Sequence, residues 1–116
     1  CGRVFEGTIE QMYKSINKLL NFSDDMEVFC GHEYTLNNLR FLENFFKNNI
    51  ILDNAKAKIL NDLETQRRTV PFLLGDEKKS NPFLNPNCQM SSEFKRDNGF
   101  SNLQFFRYLR ERKDNF

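Results

Sequence analysis

The 116-residue sequence has no tryptophan, one histidine and three cysteines, and each shortage narrows what the chain can be. A single histidine, His32, cannot hold a catalytic metal by itself, because catalytic zinc sites use three protein ligands. The cysteines are Cys1, Cys30 and Cys88, an odd number at wide spacing. That arrangement argues against a disulfide framework and against a zinc knuckle, and it points to a reducing compartment.

Excess charge of one sign and long apolar runs are also missing. Seventeen lysines and arginines face sixteen acidic residues, so the net charge of +1 creates no general basic field for nucleic acid. No apolar run is long enough to span a bilayer. We therefore expect neither a nucleic acid nor a membrane as a partner. Thirteen phenylalanines can fill a modest core, as one domain of this length requires.

The first residues read like the middle of a longer protein. No methionine begins the chain, no targeting peptide is visible, and Cys1–Gly7 is a loop with two glycines and no preceding strand. We expect that an N-terminal portion is missing. The expected compartment is the cytoplasm, with an organelle as the alternative, because a targeting segment would lie in the missing portion.

Apolar spacing predicts a mainly α chain with one short β segment. Thr8 and Gln11 form a capping box before an apolar stripe with helical spacing. A second capping box begins at Ser101. Further helices are predicted after Thr35, taken as a cap, and over about 53–68, with Asp53 as the N-cap.

The β segment is Met26–Cys30, predicted to be buried on at least one face. No second convincing strand follows, so we expect its partners to come from elsewhere. We also expect residues 1–33 to be poorly held unless another chain pairs with Met26–Cys30. Phe83 and Leu84 are expected to anchor a constrained loop to the core. Residues 87–99 are polar and are predicted to be the least structured part.

Three residues stand out as candidates for a site near the start of the chain. His32 follows a strand and a glycine, and sheets of α/β proteins build their sites at that edge. It is either a metal ligand whose partners lie elsewhere or a structural histidine. Tyr34 either offers its hydroxyl to a ligand or is a half-buried aromatic residue. Arg3 either projects from a constrained turn toward a ligand or is solvated.

The C-terminal helix carries cations along one side, at Arg107, Arg110 and Lys113. Cations complement the partial negative charge of a helix C-terminus, which explains them without a ligand. Alternatively, the arginine fork and the lysine charge form an anion site for a dianionic small molecule.

Five segments, in order, resemble the glyoxalase II (hydroxyacylglutathione hydrolase) family. They are Cys1–Thr8, Cys30–Phe41, Thr69–Pro71, Asn81–Phe83 and Arg110–Asp114. The resemblance covers the whole chain and is weakest over 85–100. It implies the end of a metallo-β-lactamase-like αββα domain over 1–33, followed by the family's helical substrate-binding domain over 34–116.

The resemblance also implies a chemistry. The family hydrolyses S-D-lactoylglutathione to glutathione and D-lactate, in methylglyoxal detoxification, at a site with two divalent metals, usually zinc with iron or manganese. Two metals would generate a hydroxide near neutral pH and stabilise the oxyanion formed at the thioester carbonyl. Cations remote from the metals would only position glutathione.

Residue by residue, the resemblance makes His32 a metal ligand. It assigns glutathione contacts to three cations and one tyrosine, namely Arg3, Arg110, Lys113 and Tyr34. Phe5 stands where some members carry a tyrosine, so it can offer packing but no hydroxyl.

One departure from the family is large. The His-x-His-x-Asp-His segment, a further histidine and the metal-bridging aspartate have no counterpart in the chain. We therefore predict that this chain alone binds no binuclear centre and hydrolyses nothing. The alternatives are a non-catalytic helical interaction module that uses the basic C-terminal helix, or another thiol enzyme of the metallo-β-lactamase fold, such as a persulfide dioxygenase.

Overall fold

A computed structural model describes residues 1–116 as six α-helices and a two-stranded sheet, which confirms the predicted fold class. In chain order the elements are α1 (Ile9–Asn17), β1 (Glu27–Val28), α2 (Thr35–Phe45), α3 (Ile50–Gln66), β2 (Phe72–Leu73), α4 (Leu74–Ser80), α5 (Gln89–Asn98) and α6 (Asn102–Asp114). A 3-10 turn, Lys18–Asn21, extends α1. None of the helices combines the length and the apolar character needed to cross a membrane.

The core lies where α2, α5 and α6 meet the loop between α4 and α5. Its buried apolar side chains are Leu39, Phe41, Leu42, Leu52, Phe83, Cys88, Met90, Phe105, Phe106 and Leu109. Phe83 lies at the centre, with its ring 6.1 Å from those of both Phe41 and Phe106. Phe83 and Leu84 are buried, which confirms that they anchor their loop. Each fully buried phenylalanine contributes about 1.5–3 kcal/mol through the hydrophobic effect.

Both predicted capping boxes are confirmed. The Thr8 hydroxyl accepts from the Gln11 amide at 3.2 Å, and the Gln11 side chain accepts from the Thr8 amide at 2.8 Å. Ser101 and Gln104 repeat the same pair of bonds at the start of α6. Two amides at each helix start therefore have partners within the chain.

Thr35 does not cap α2, contrary to the prediction. The cap position is Tyr34, whose side chain makes no capping bond, and Thr35 is the first helical residue. The Thr35 hydroxyl instead lies 2.6 Å from that of Thr69. A tertiary hydrogen bond has replaced the local one that the residue type suggested.

The predicted N-cap of α3 was also wrong. Asn48 has a φ of 56°, which turns the chain after α2, and Asn49 is extended. The Asn49 side chain then accepts from the Ile51 amide at 3.0 Å. Asp53 lies in the first turn of α3, where its charge complements the helix N-terminus.

The chain does contain a second strand, which the sequence analysis missed. β1 and β2 pair antiparallel, with Glu27 opposite Leu73 and Val28 opposite Phe72. A two-residue strand is too short to produce a recognisable alternation of polar and apolar residues, so the prediction had no signal to use. The expected burial of Met26–Cys30 was wrong as well, because Met26 is 46% exposed and Phe29 is 73% exposed.

Residues 1–33 are attached to the rest of the chain, contrary to the expectation that they would be poorly held. The Tyr13 ring of α1 lies 5.4 Å from the Phe106 ring of α6, and Arg107 pairs with Glu10. Lys78 of α4 donates to the Phe22 carbonyl at 2.6 Å. The sheet and α1 thus both fasten this segment to the helices.

Residues 87–99 contain α5 and are not the unstructured segment that was predicted. Met90 and Ser91 are buried, and the Phe94 ring lies 5.5 Å from that of Phe105. The helix ends at Gly99, whose φ of 68° suits glycine. A few buried anchors hold a helix whose other residues are polar, and composition alone underestimates such a helix.

Candidate functional site

His32 and Tyr34 lie in the loop between β1 and α2. Both side chains are exposed, and their rings stack with centroids 5.1 Å apart at 20°. The Cys30 thiol donates to the His32 carbonyl at 3.3 Å. The two residues that the sequence singled out therefore form one aromatic pair at the surface.

Glu33, between them, is a residue that the sequence analysis missed. Its carboxylate accepts from the Thr69 amide at 3.2 Å and from the Thr69 hydroxyl. It also lies 3.2 Å from the Thr35 hydroxyl, whose single proton is donated either to Glu33 or to the Thr69 oxygen. The hydrogen bond from the Thr69 side chain is the main cause that lowers the pKa of Glu33. No local pattern could have revealed this role, because Thr69 lies far along the chain.

Arg110 ties the first loop to α6. It is only 2% exposed, and its Nη1 donates to the carbonyls of Cys1 at 2.7 Å and Gly2 at 3.0 Å. Its Nη2 donates to Asp114 at 2.8 Å, and its guanidinium lies 5.4 Å from the centre of the Phe83 ring. Both terminal nitrogens of the guanidinium thus have partners within the protein, whereas Nε is buried without one, and direct contact with an anionic ligand stays a prediction.

Arg3 and Lys113 are the two cations of this region that are more exposed than Arg110. The Arg3 side chain is 65% exposed, with its Nε 3.7 Å from Asp114. Lys113 lies over the Phe41 ring at 5.6 Å. Partial burial, and then the positive charge of Arg110, lower the pKa of Lys113. Three cations beside one carboxylate give this corner an excess of positive charge.

Two further residues that the sequence singled out, Arg107 and Phe5, make no close contact with this cationic corner. Arg107, which shares a helix side with Arg110 in the sequence, pairs with Glu10 instead. Phe5 is 88% exposed. An exposed phenylalanine in the first loop is available to pack against a ligand or another part of a longer protein.

A cavity of about 350 Å³ joins the two loops. Its lining includes Cys1 and Gly2 from the first loop, and His32 and Tyr34 from the second. Arg3, Phe5, Arg110 and Lys113 are not among its lining residues. The structure therefore brings the two loops together at one cavity, and the cationic corner lies beside it through Arg110.

Glu77 of α4 is a second residue that the sequence analysis missed. It borders the same cavity, and Asn81 donates to its carboxylate at 2.7 Å. Burial raises the pKa of Glu77. The local sequence of α4, two acids followed by two lysines, gave no indication that one of its acids is enclosed.

The residues present do not fit a binuclear metal centre. No group of three or more His, Cys, Asp or Glu side chains is arranged to hold a metal ion. His32 offers one exposed imidazole and belongs to no such group. A two-metal site needs more donors than this chain supplies.

Comparison with known proteins identifies the family. The family model described as Hydroxyacylglutathione hydrolase C-terminus matches residues 33–116. The hydroxyacylglutathione hydrolase of Crocosphaera subtropica is 42% identical over 120 residues, which cover all of this chain and 44% of the relative. That of Trichodesmium erythraeum is 40% identical, again over all of this chain and 44% of the relative. That of Rhodopseudomonas palustris is 40% identical over 98% of this chain and 45% of the relative.

The chain thus spans less than half the length of the curated relatives that it matches. The match extends along the whole chain and includes both loops of the candidate site as well as α6. The chain therefore belongs to the hydroxyacylglutathione hydrolase, or glyoxalase II, family, and it corresponds to the C-terminal part of those proteins.

Proposed function

We propose that the longer protein containing this chain is a thioester hydrolase that converts S-D-lactoylglutathione and water into glutathione and D-lactate. Family membership supports the reaction class, because the relatives are named hydroxyacylglutathione hydrolase. The observation that carries the proposal for this chain is that Arg110, in the cationic corner, bonds the first loop, which shares a cavity with His32 and Tyr34. Glutathione has carboxylates at both ends and its thioester between them, which suits cations lying apart from the reacting centre.

The residues have distinct roles in this proposal. Arg3 and Lys113 attract the glutathione carboxylates, and Tyr34 offers its hydroxyl to the glutathione backbone. Phe5 packs against the ligand. Arg110 takes part by holding the first loop, since its donors bond the Cys1 and Gly2 carbonyls.

The metal site belongs mainly to the portion that precedes this chain. His32 is proposed as one ligand to two divalent metals, zinc with iron or manganese, and the remaining ligands would come from that portion. Because this chain contributes a single imidazole, we propose that it binds no binuclear centre alone and is inactive alone.

The proposed domain division follows the same reasoning. Residues 1–33 would complete a metallo-β-lactamase-like domain, and residues 34–116 would form the helical substrate-binding domain. The start of the family match at residue 33 supports this division. The exposed Met26 and Phe29 side chains would be covered by the preceding portion.

The proposed compartment is the cytoplasm. Cys1, Cys30 and Cys88 are all free thiols, which supports a reducing environment. The proposed role there is detoxification of methylglyoxal through its glutathione thioester.

The test uses the longer protein, prepared with its N-terminal portion, and the 116-residue chain side by side. Loss of the thioester bond is followed with S-D-lactoylglutathione, and oxygen uptake is followed with glutathione persulfide. The proposal predicts thioester turnover by the longer protein, none by the chain alone, and no persulfide-dependent oxygen uptake. Oxygen uptake without thioester turnover would overturn it in favour of a persulfide dioxygenase.

A further inference from the structure

The loop that carries His32 and Tyr34 has almost no anchor of its own. Every residue over 29–34 is exposed, so the hydrophobic effect does not fix this loop. The Cys30 thiol bonds only within the loop, to the His32 carbonyl. The side-chain hydrogen bonds of Glu33 therefore attach this loop to a distant part of the chain.

Those bonds lead to a buried residue. Thr69 is 6% exposed, and it presents both its amide and its hydroxyl to the Glu33 carboxylate. Its hydroxyl also lies 2.6 Å from that of Thr35, the first residue of α2. Glu33, Thr35 and Thr69 thus form one hydrogen-bonded cluster, which joins the start of α2 to the segment between α3 and β2.

We propose that Glu33 is a positioning residue, which fixes the stacked His32–Tyr34 pair by binding Thr69. Glu33 does not contact the substrate in this proposal, and its effect on substrate binding passes through Tyr34. Tyr34 binds glutathione more tightly if the loop already holds a single conformation, because a mobile side chain must be ordered at a cost when the ligand binds. This inference rests on the proposed function for its kinetic consequence, but its structural consequence stands apart from it.

The structural consequence is measured in the 116-residue chain, whose only histidine is His32. The imidazole C–H proton resonances therefore report on this loop without ambiguity. Stacking on Tyr34 places those protons in a ring current, so loss of the stacked pair shifts them. Glu33→Ala and Thr69→Val are predicted to move the His32 resonances toward random-coil positions. Glu64→Ala, which removes an exposed acid of α3, is predicted to leave them in place.

The kinetic consequence is measured in the longer protein with S-D-lactoylglutathione. Glu33→Ala is predicted to raise KM about tenfold with kcat changed less than about twofold, as expected when the charge-assisted hydrogen bonds that order a binding residue are lost. Thr69→Val is predicted to act in the same direction, and Thr69→Ser to restore KM because it keeps the hydroxyl. The double variant is predicted to be no worse than Glu33→Ala, since Glu33→Ala already removes the bond that the Thr69 hydroxyl donates to the carboxylate.

The two measurements separate failure of this inference from failure of the proposed function. If the His32 resonances shift and the longer protein turns over no thioester, the positioning role stands and the proposed substrate is wrong. If the resonances and KM of Glu33→Ala both match those of Glu64→Ala, the positioning role is overturned. A fall in kcat with KM unchanged also overturns it. If Glu33→Ala does not fold, Thr69→Val and Thr69→Ser decide the same question.

Discussion

Arg107 and Arg110 lie one turn apart on α6, yet the structure uses them in different ways. Arg107 is half exposed and pairs with Glu10 across to α1. Arg110 is buried and supplies donors to two backbone carbonyls and to Asp114. Residue type and spacing alone gave the two arginines the same interpretation, and burial distinguishes them.

This difference makes a direct prediction about stability. Arg110→Gln is expected to lower the free energy of unfolding by about 3 kcal/mol, because the carbonyls of Cys1 and Gly2 and the Asp114 carboxylate lose a buried charged donor. Arg107→Gln is expected to cost less than about 1 kcal/mol, as for a surface ion pair. Urea unfolding of the 116-residue chain measures both. Equal losses for the two variants would contradict the assignment of Arg110 as the anchor of the first loop.

Lys113 allows a similar test of binding. Lys113→Gln in the longer protein is expected to raise KM for S-D-lactoylglutathione about tenfold with little change in kcat, because a cation remote from the reaction contributes uniform binding. Arg112→Gln removes a neighbouring exposed cation and serves as the matched control. Steady-state kinetics separates KM from kcat. A change in KM that is the same for both variants would indicate general attraction and not a site.

Glu77 predicts a dependence of stability on pH. Its folded-state pKa is raised by burial, so its contribution to stability is present below the unfolded pKa and is lost as pH rises through the folded pKa. Glu77→Gln stays neutral and keeps an oxygen that accepts from Asn81. The variant is therefore expected to melt higher than the wild type at about pH 8 and nearly equal to it at about pH 4.

Thermal melts of both proteins across that range check this prediction, with Glu64→Gln as the exposed control. A difference in melting temperature that does not change with pH would show that the Glu77 carboxylate keeps its ordinary pKa. It would also mean that the enclosed side of the cavity is better hydrated than the geometry indicates.

At the scale of elements, α5 is held to the core by a few buried side chains. Met90 is 1% exposed, and Met90→Ala is expected to cost about 2–5 kcal/mol, because the cavity left behind adds to the lost transfer free energy. Gln89→Ala, an exposed neighbour in the first turn, is expected to change stability by less than about 0.5 kcal/mol. Urea unfolding compares the two. A small loss for Met90→Ala would contradict the packing of α5 on the core.

The elements that sequence predicted correctly were those with local signals. The capping boxes at Thr8 and Ser101 each place both partners within four residues, and both formed. Thr35 has the residue type of a cap, but its hydroxyl contacts that of Thr69 instead, and no local pattern reveals this contact. β2 is too short to show a strand periodicity, and its assignment depends on pairing with β1. Prediction therefore failed where a tertiary partner decided the local structure.

The residues of the candidate site differ in the same way, because some have local sequence signals and others depend on tertiary partners. His32, Tyr34 and the basic α6 stand next to recognisable motifs, so sequence and resemblance could point to them. Glu33 and Glu77 have their roles through partners and enclosure that only the fold creates. Arg110 was identified from sequence, but its commitment to Cys1 and Gly2 could be seen only in three dimensions.

At the scale of the whole molecule, the chain holds one side of a proposed site and lacks most of the metal ligands. α6 and the first loop meet through Arg110, and the His32–Tyr34 loop borders the same cavity as Cys1 and Gly2. In the proposed function, this arrangement would hold the glutathione moiety while the metals of the N-terminal portion would supply the chemistry. We therefore propose that this chain recognises the glutathione carboxylates of a thioester.

The most direct measurement compares kcat/KM of the longer protein for two thioesters of D-lactate. One is S-D-lactoylglutathione, and the other is the D-lactoyl thioester of N-acetylcysteamine, which has the same reacting bond and no carboxylates. Recognition by this chain predicts that kcat/KM for the truncated thioester falls by about 100-fold or more, because binding energy remote from the reacting bond is lost. Equal values of kcat/KM for the two thioesters would contradict the account.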